Sequence, residues 1–372
     1  MKRILVVGDY QKGSGLTGYI LSLYSSLNSA EKYEISCLSY SGKKNIDGVL
    51  YNKSWKKFDV VPITQDFFLH ISQMRTFFKR HRSSFDIIHF NYSASWNFFG
   101  VLFAKLYTEA KIIVQSHNVY YSKKPLGIQK PVLGLANWIG RGIFRKSSDV
   151  KLAVSSDAAK WMFGGTASVD ILKNGIDVQS FSYNAEKRMY IRHQNGYTEN
   201  NILLGFVGTL EDRKNPYFAI ELIERLSALN SNYKLCMFGS GPLYEDLKRT
   251  VYNRSLGNQV CFFGVVKNLN EWYSALDIFI FPSKTEGFGY ALLEAQANGL
   301  KSICSTSIPV EVQLTDSVKA ISTNRIADWA NEIINSEFMH VENSKRNVEI
   351  IENAGYTIDV TVHSFKKIID EL

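Results

Sequence analysis

Cysteine, proline and long apolar runs are all scarce in this sequence. Its four cysteines, Cys37, Cys236, Cys261 and Cys304, are far apart, and three sit inside apolar runs. That spacing argues against a disulfide framework or a zinc ribbon and fits buried, reduced thiols of a cytoplasmic protein. Seven prolines in 372 residues, with no Ser/Gly tract, exclude a loose string of small modules. The opening MKRILVVGDYQKG holds only Ile4 to Val7 as an apolar stretch, where a secretory signal needs about 7–15 such residues. The run around Ile278 to Pro282 is far shorter than the roughly 20 residues that span a bilayer.

What is present is ordinary for a globular chain: 45% hydrophobic, 21% charged and 13% aromatic residues. The length predicts two domains. The net charge of +8 is unevenly placed. Residues 1–180 carry 24 Lys/Arg against 12 Asp/Glu, and the remainder carries 19 against 23. A basic first half points to something anionic: a phosphorylated ligand, a membrane surface or nucleic acid.

Short β-rich runs alternate with amphipathic helical ones. Ile4–Gly8, Ile35–Ser39, Asp86–Phe90, Lys111–Gln115 and Val150–Val154 read as one series of buried strands. Ile202–Gly208, Tyr233–Phe238, Val260–Phe263, Ile278–Phe281 and Lys301–Cys304 read as a second, with helices such as Pro216–Leu229 and Glu245–Asn253 between. Such alternation predicts parallel sheets covered by helices on both faces, that is, two α/β domains. The polar break near Asp177–Asn200 separates them. The expected division is a first domain at 1–180, a linker at 181–199 and a second domain at 200–354, followed by a C-terminal segment at 355–372.

The most informative stretch is Phe281-Pro-Ser-Lys-Thr-Glu286-Gly-Phe-Gly-Tyr-Ala-Leu-Leu-Glu294. It leaves an apolar strand and enters a helix-forming run at Tyr290–Asn298, so its loop ends at a helix N-terminus, where phosphate is favoured. Gly287 and Gly289, on either side of Phe288, permit close backbone approach. Glu286 and Glu294 suit sugar hydroxyls; they equally suit a helix-dipole partner and a solvated helical side chain. In Leu204-Gly-Phe-Val-Gly208-Thr-Leu-Glu-Asp-Arg213-Lys214-Asn215 a strand ends at Gly208 and a helix begins near Lys214. A cation there can neutralise a leaving phosphate; a turn with a solvated Arg-Lys pair is the plainer reading.

These stretches resemble the E-x7-E motif region and the phosphate-binding turn of the GT-B glycosyltransferases of family 4, which are retaining enzymes. The likeness extends to Ala295-Gln-Ala-Asn-Gly299, Phe238-Gly239-Ser-Gly241-Pro, Phe262-Phe263-Gly264 and Lys173-Asn-Gly-Ile-Asp177. Within the family it is greatest to capsular and exopolysaccharide enzymes, through Gln115-Ser-His-Asn118 and Lys160-Trp-Met-Phe-Gly164. The resemblance implies a GT-B fold with two Rossmann-like domains facing a cleft. The first domain binds the acceptor, the second binds the nucleotide sugar, and a C-terminal helix returns to the first.

By the same resemblance Glu286 lies against the donor sugar, Glu294 binds the ribose, Gly287 to Gly289 cradle the diphosphate, and Lys214 meets its charge. Gly239 and Gly241 lie near the nucleotide, and Phe263 borders the base. Thr209 stands where the family has Arg, which leaves Arg213 as the candidate second cation. His117, after the strand at Lys111–Val114, becomes a contact for the transferred sugar or acceptor rather than a loop histidine bonded to backbone. Gly13, Gly15 and Gly18 match G-x-G-x-x-G, but they follow the first strand about five residues late for a dinucleotide site; the family has a glycine-rich phosphate and acceptor loop here.

The implied reaction moves a sugar from a nucleotide-diphosphate sugar, UDP-linked, to a glycan or lipid-linked saccharide, with no cofactor and, in the absence of an Asp-x-Asp motif, no metal. The rivals are a nucleotide-sugar epimerase of the same fold and a non-enzymatic membrane- or nucleic-acid-binding protein. No repeated basic-aromatic RNA signature supports the nucleic acid. Finally, Phe67, Ile71, Met74, Phe77 and Phe78 recur at helical spacing, with Arg75, Lys79, Arg80 and Arg82 towards one end. Such a helix docks on the anionic inner face of the plasma membrane or buries its aromatic stripe in the core.

Overall fold

The computed structural model describes residues 1–11, 13–27, 32–50, 53–121, 125, 127, 129–337 and 340–372. The chain divides into two units, Met1–Asn174 with Ile358–Leu372, and Gly175–Thr357. The first is built on strands β1 (Lys2–Gly8), β2 (Tyr33–Ser39), β3 (Lys56–Asp59), β4 (Ile87–Tyr92), β5 (Lys111–Ser116), β6 (Val150–Ala153) and β7 (Asp170–Ile171). Their order is β3-β2-β1-β4-β5-β6-β7, parallel throughout. Helices α1 (Gly15–Leu27), α2 (Lys43–Val49), α3 (Phe67–Arg80), α4 (Phe99–Tyr107), α5 (Gln129–Ser147) and α6 (Ser156–Phe163) lie between the strands in sequence.

The second unit begins with α7 (Ala185–Gln194). Its sheet contains β8 (Ile202–Val207), β9 (Tyr233–Phe238), β10 (Val260–Gly264), β11 (Ile278–Phe281), β12 (Lys301–Ser305) and β13 (Val318–Ile321), ordered β10-β9-β8-β11-β12-β13 and again parallel. Around it lie α8 (Pro216–Leu229), α9 (Tyr244–Asn253), α10 (Leu269–Ala275), α11 (Tyr290–Asn298), α12 (Ile326–Ile334) and α13 (His340–Asn353). The last helix, α14 (Ile358–Asp370), belongs to the first unit. Its Phe365 is buried against Tyr24 and His89, and Lys2 Nζ donates to the Ile369 carbonyl at 2.6 Å.

The strands are apolar on both faces because helices cover both. Ile4 to Val7 are all buried, as are Ile278 to Phe281. In each sheet the strand order reverses at one place, between β1 and β4 and between β8 and β11. Loops leaving the carboxyl ends of strands diverge at such a point and leave a crevice where ligands bind. The sequence therefore sets the two most motif-rich loops, 208–215 and 282–289, side by side.

The expected linker at 181–199 is instead part of the second unit. Its helix α7 packs on α10, and Arg192 is only 1% exposed. The guanidinium donates to the carbonyls of Ala275, Thr198 and Asn201 at 2.9, 2.7 and 2.6 Å and to Asp277 Oδ2 at 3.2 Å. A helix anchored by a buried arginine carries no apolar stripe, so its polarity looks like a linker. Cys261 is exposed, unlike the other three thiols, because it lies on the edge strand β10. Strands β3, β7 and β13 and helix α5 were not foreseen. Removing Arg192 strips partners from a buried carboxylate and three carbonyls. Arg192→Ala should therefore cost about 3 kcal/mol, read as a lower midpoint in urea unfolding.

Candidate active site

Loop 208–215 leaves β8 and passes through a 3-10 turn at Asp212–Lys214 before entering α8. Asn215 adopts the left-handed conformation, φ 57°, at the start of that helix, and its side-chain amide donates to the Pro282 carbonyl at 3.3 Å. The turn is thereby tied to the loop after β11. A second tie is the Lys284 amide, which donates to the Arg213 carbonyl at 2.8 Å, and a third is Lys284 Nζ on Asp212 at 2.6 Å. On the other side, a Cβ at Gly239 would stand 2.0 Å from the Gly208 carbonyl oxygen, and one at Gly241 2.5 Å from that of Leu210. These glycines let loop 208–210 lie directly on the β9–α9 turn, a packing need that is independent of any ligand.

This folding places three charges together. Glu286 is 7% exposed. Its Oε1 accepts from Lys214 Nζ at 2.5 Å and its Oε2 from Arg213 Nη1 at 3.0 Å. Arg213 Nη1 also donates to the Thr285 carbonyl, while its Nε and Nη2 donate to Glu211 Oε1 at 3.2 and 2.9 Å. Burial alone would raise the Glu286 carboxyl; the Lys214 and Arg213 charges outweigh it and hold the group below the ordinary carboxylate range. Lys214 is drawn the other way. Burial and the Arg213 charge lower it more than Glu286 lifts it.

Past Glu286 the chain runs through Gly287, Phe288 and Gly289 into α11. Gly289 caps the helix at φ 112°, a backbone that only glycine adopts without strain. The Phe288 ring is buried against Tyr290 and Tyr356, which leaves the backbone as the part of this residue open to a ligand role. The N-terminus of α11 adds its partial positive charge to those of Lys214 and Arg213. One turn in, half-buried Glu294 accepts from the Tyr273 hydroxyl at 2.9 Å. Burial pushes its carboxyl up to about 7, with the tyrosine holding it back. Phe263 stacks on Phe238, centroids 5.2 Å apart, and tilts against Trp272 at 4.2 Å. Glu211 and Tyr273 went unnoticed in the sequence. Glu211 sits in a plain charged run, and Tyr273 reaches Glu294 across 21 residues.

In the first unit, His117 follows β5 at the carboxyl edge. Its Nε2 lies 2.9 Å from Asn91 Oδ1, and an amide oxygen only accepts, so Nε2 carries the proton and Nδ1 presents a lone pair. Burial, with the neighbouring His89, pushes it down to about 3, which keeps the ring neutral. Gly13 sits in the turn before α1 at φ 78°, while Gly15 and Gly18 lie in the helix's first turn. The four basic residues of α3 and its end lie elsewhere. Arg75 donates to the Tyr107 hydroxyl at 3.0 Å, Lys79 lies over that ring at 5.0 Å, Arg82 pairs with Glu109 at 3.5 Å, and Arg80 is exposed. Met74 and Phe78 are core, Phe77 is half-buried, and Phe67 and Phe68 are exposed. Among the described residues no group of three or more His, Cys, Asp or Glu is arranged to hold a metal, and no helix is long and apolar enough to cross a membrane.

The chain matches two family models in succession, Glycosyltransferase Family 4 over residues 14–180 and Glycosyl transferases group 1 over 187–355. The chain belongs to the GT-B glycosyltransferases. Among its relatives are the putative glycosyltransferase EpsF of Bacillus subtilis, 30% identical over 164 residues and 43% of each chain. The O-antigen biosynthesis glycosyltransferase WclY of Escherichia coli is 30% identical over 246 residues, 64% of this chain and 65% of that one. The matches thus span less than two thirds of these relatives. The crystal structure of Anabaena HepE with UDP and glucose superposes at a TM-score of 0.80 with 14% identity, over all of both chains, and shares the fold of this GT-B chain.

Glu294 ties stability to pH. Its folded-state value of about 7 exceeds the ordinary 4.5, so the stability it contributes is full below the unfolded value and is lost as pH rises through 7. Glu294→Gln removes that loss. Its stability relative to the parent should rise by about 2 kcal/mol between pH 5 and pH 8, as read by urea unfolding at both values.

Proposed function

We propose that this chain transfers a sugar from a UDP-sugar to a hydroxyl of a glycan or lipid-linked saccharide in bacterial surface-polysaccharide assembly, with retained anomeric configuration. The observation that carries the reading is the buried Glu286 gripped by Lys214 and Arg213 at the reversal point of the second sheet, against the N-terminus of α11. Two fixed cations and a helix dipole at one place are what a departing diphosphate requires, because they are already oriented when its charge develops. Arg213 takes the part of the arginine absent at Thr209, and Glu211 keeps its fork oriented. When phosphate oxygens draw on the two cations, Glu286 retains its negative charge beside the anomeric centre and stabilises its oxocarbenium character. Glu294 accepts from ribose hydroxyls, and Phe263 flanks the base. The neutral His117 accepts a hydrogen bond from a hydroxyl at Nδ1, orienting acceptor or sugar beside the Gly13–Gly18 loop, and the acceptor's proton passes to the departing diphosphate. The UDP and glucose of the HepE structure and the O-antigen role named for WclY support this reading. The surface-polysaccharide acceptor belongs at the inner face of the plasma membrane, where the protein is peripheral.

With phosphate charge met by Lys214, Arg213 and α11, no divalent cation or other cofactor is required. Nucleotide release from the UDP-sugar should persist in excess EDTA, and Arg213→Gln should lower kcat about a hundredfold. An activity lost in EDTA and restored by magnesium or manganese would overturn this.

The two glutamates divide their work. Glu294→Ala should weaken UDP binding, because ribose is held alike before and during transfer. Glu286→Gln should lower kcat, because its partner changes charge. Calorimetric titration of UDP beside steady-state rates separates the two. Equal losses of affinity with equal kcat would refute the division.

A further inference from the structure

Tyr273 lies on α10, 21 residues before Glu294, and is fully buried. Phe181 and Phe279 hold its ring edge-on, each with centroids 5.9 Å away. The ring ends in a hydroxyl with one proton and two acceptors on α11. Glu294 Oε2 lies at 2.9 Å and the Ala291 carbonyl oxygen at 3.2 Å. Burial pushes the phenol well above its usual range, so the hydroxyl stays a donor wherever the carboxyl titrates. Two influences act on Glu294: burial, which pushes the carboxyl up to about 7, and this hydroxyl, which opposes it. The elements packed against α11 add no third. On α10, Glu271 is paired with Lys187 at 2.6 Å. On β12, Lys301 is paired with Glu332 at 2.7 Å, and burial pushes the Cys304 thiol up to about 12. On α13, His340 meets the Asp277 carbonyl at 3.3 Å and is driven down to about 4 by burial, while Glu342, Lys345, Arg346, Glu349 and Glu352 are exposed. Strand β11 and the 3-10 turn Gln179–Phe181 carry no titratable side chain.

A carboxyl that titrates at neutrality is a poor anchor for a ribose unless something fixes its place and its charge. Ribose hydroxyls are donors, and an ionised oxygen accepts from them about twice as strongly as a neutral one. The Tyr273 hydroxyl occupies Oε2, which sets the direction of the side chain and leaves Oε1 for a ligand. It also donates best to the ionised form; without it burial acts alone and the carboxyl stays protonated to higher pH. We propose that Tyr273 is a positioning residue for the nucleotide: through Oε2 it orients Glu294 so that Oε1 accepts from the ribose hydroxyls. A side chain with no exposed surface does not touch the ligand, so it acts through the carboxylate alone. The proposal rests on the reading of Glu294 as the ribose group and deepens it. Donor affinity then follows the charge of Glu294 and rises as pH climbs through about 7.

Calorimetric titration of UDP at about pH 6, 7 and 8.5 tests this on the parent, Tyr273→Phe, Glu294→Gln and the double variant. Ratios to the parent at each pH cancel the titration of UDP itself. Tyr273→Phe keeps the ring, and its urea midpoint is read on the same preparation. It should bind UDP about tenfold more weakly than the parent at the lowest pH and within about twofold of it at the highest. Glu294→Gln should stay weaker at the highest pH, and the double variant should match it, since the two groups act as one. A second measurement leaves Tyr273 in place and decides alone if Tyr273→Phe does not fold. On titration the parent's tyrosine absorbance should change with a midpoint near pH 7, and Glu294→Gln should lack that change. The inference is overturned by a loss in Tyr273→Phe that is equal at every pH, by a double variant weaker than Glu294→Gln, or by a flat absorbance titration. If Glu294→Gln binds UDP as the parent does at the highest pH, the ribose reading falls and takes the inference with it. If Glu294→Gln is weaker while Tyr273→Phe equals the parent throughout, the reading stands and the inference alone falls.

Discussion

The contact of Glu286 with Lys214 and Arg213 decides how the second unit is put together. A carboxylate 7% exposed is costly unless charge and hydrogen bonds answer both of its oxygens. Here both are answered from a single turn, at 2.5 and 3.0 Å. That turn must lie against the β11–α11 loop, and the other constraints follow. Asn215 bridges to Pro282, Lys284 bonds the Arg213 backbone, and Gly239 and Gly241 clear space on the far side. The groups that would receive a diphosphate and the groups that hold the loops in place are the same. Substitution of Glu286 therefore touches architecture as well as chemistry.

Both sheets reverse their strand order after the same pattern, and the two reversal points differ in electrical character. The second unit's point holds two cations, a carboxylate and a helix N-terminus. Beside the first unit's point, a neutral His117 is bonded to Asn91 and stands against Tyr19, with centroids 5.0 Å apart. Yet in the sequence the first half is the basic one. Net charge per half thus does not locate the proposed phosphate site. A few oriented cations within hydrogen-bond reach outweigh a diffuse excess that salt screens over about 10 Å.

The sequence made the site legible where chemistry depends on neighbours along the chain. Strand Ile278–Phe281, helix Tyr290–Asn298 and the loop between them read directly from an apolar run, two glycines and a helix-forming stretch, and Tyr233–Phe238 and Pro216–Leu229 came out at their observed bounds. Contacts across the fold left no local trace. Tyr273 reaches Glu294 from another helix, and Arg192 buries a charge in a segment whose polarity suggested a linker. Helix α5 escaped because Gly134, Gly140 and Gly142 lower its propensity and its apolar residues fall on two faces, which blurs the period. The edge strand β3, Lys56–Asp59, has two lysines because edges tolerate them.

The direction of the chain through a parallel sheet settles which of the basic and apolar features act together. A helix that follows one strand and precedes the next begins at the carboxyl edge and ends at the amino edge. The Gly13–Gly18 turn, Phe67, Phe68, Val132 and Leu135 all fall early in their helices or just before them. His117 leaves its strand at that same edge, whereas Arg80 and Arg82 come at and after the end of theirs. One planar surface cannot lie on both edges at once while meeting loops of only one. Of the cations of α3 and its end, Arg75 and Lys79 meet Tyr107 and Arg82 meets Glu109, while Arg80 is exposed.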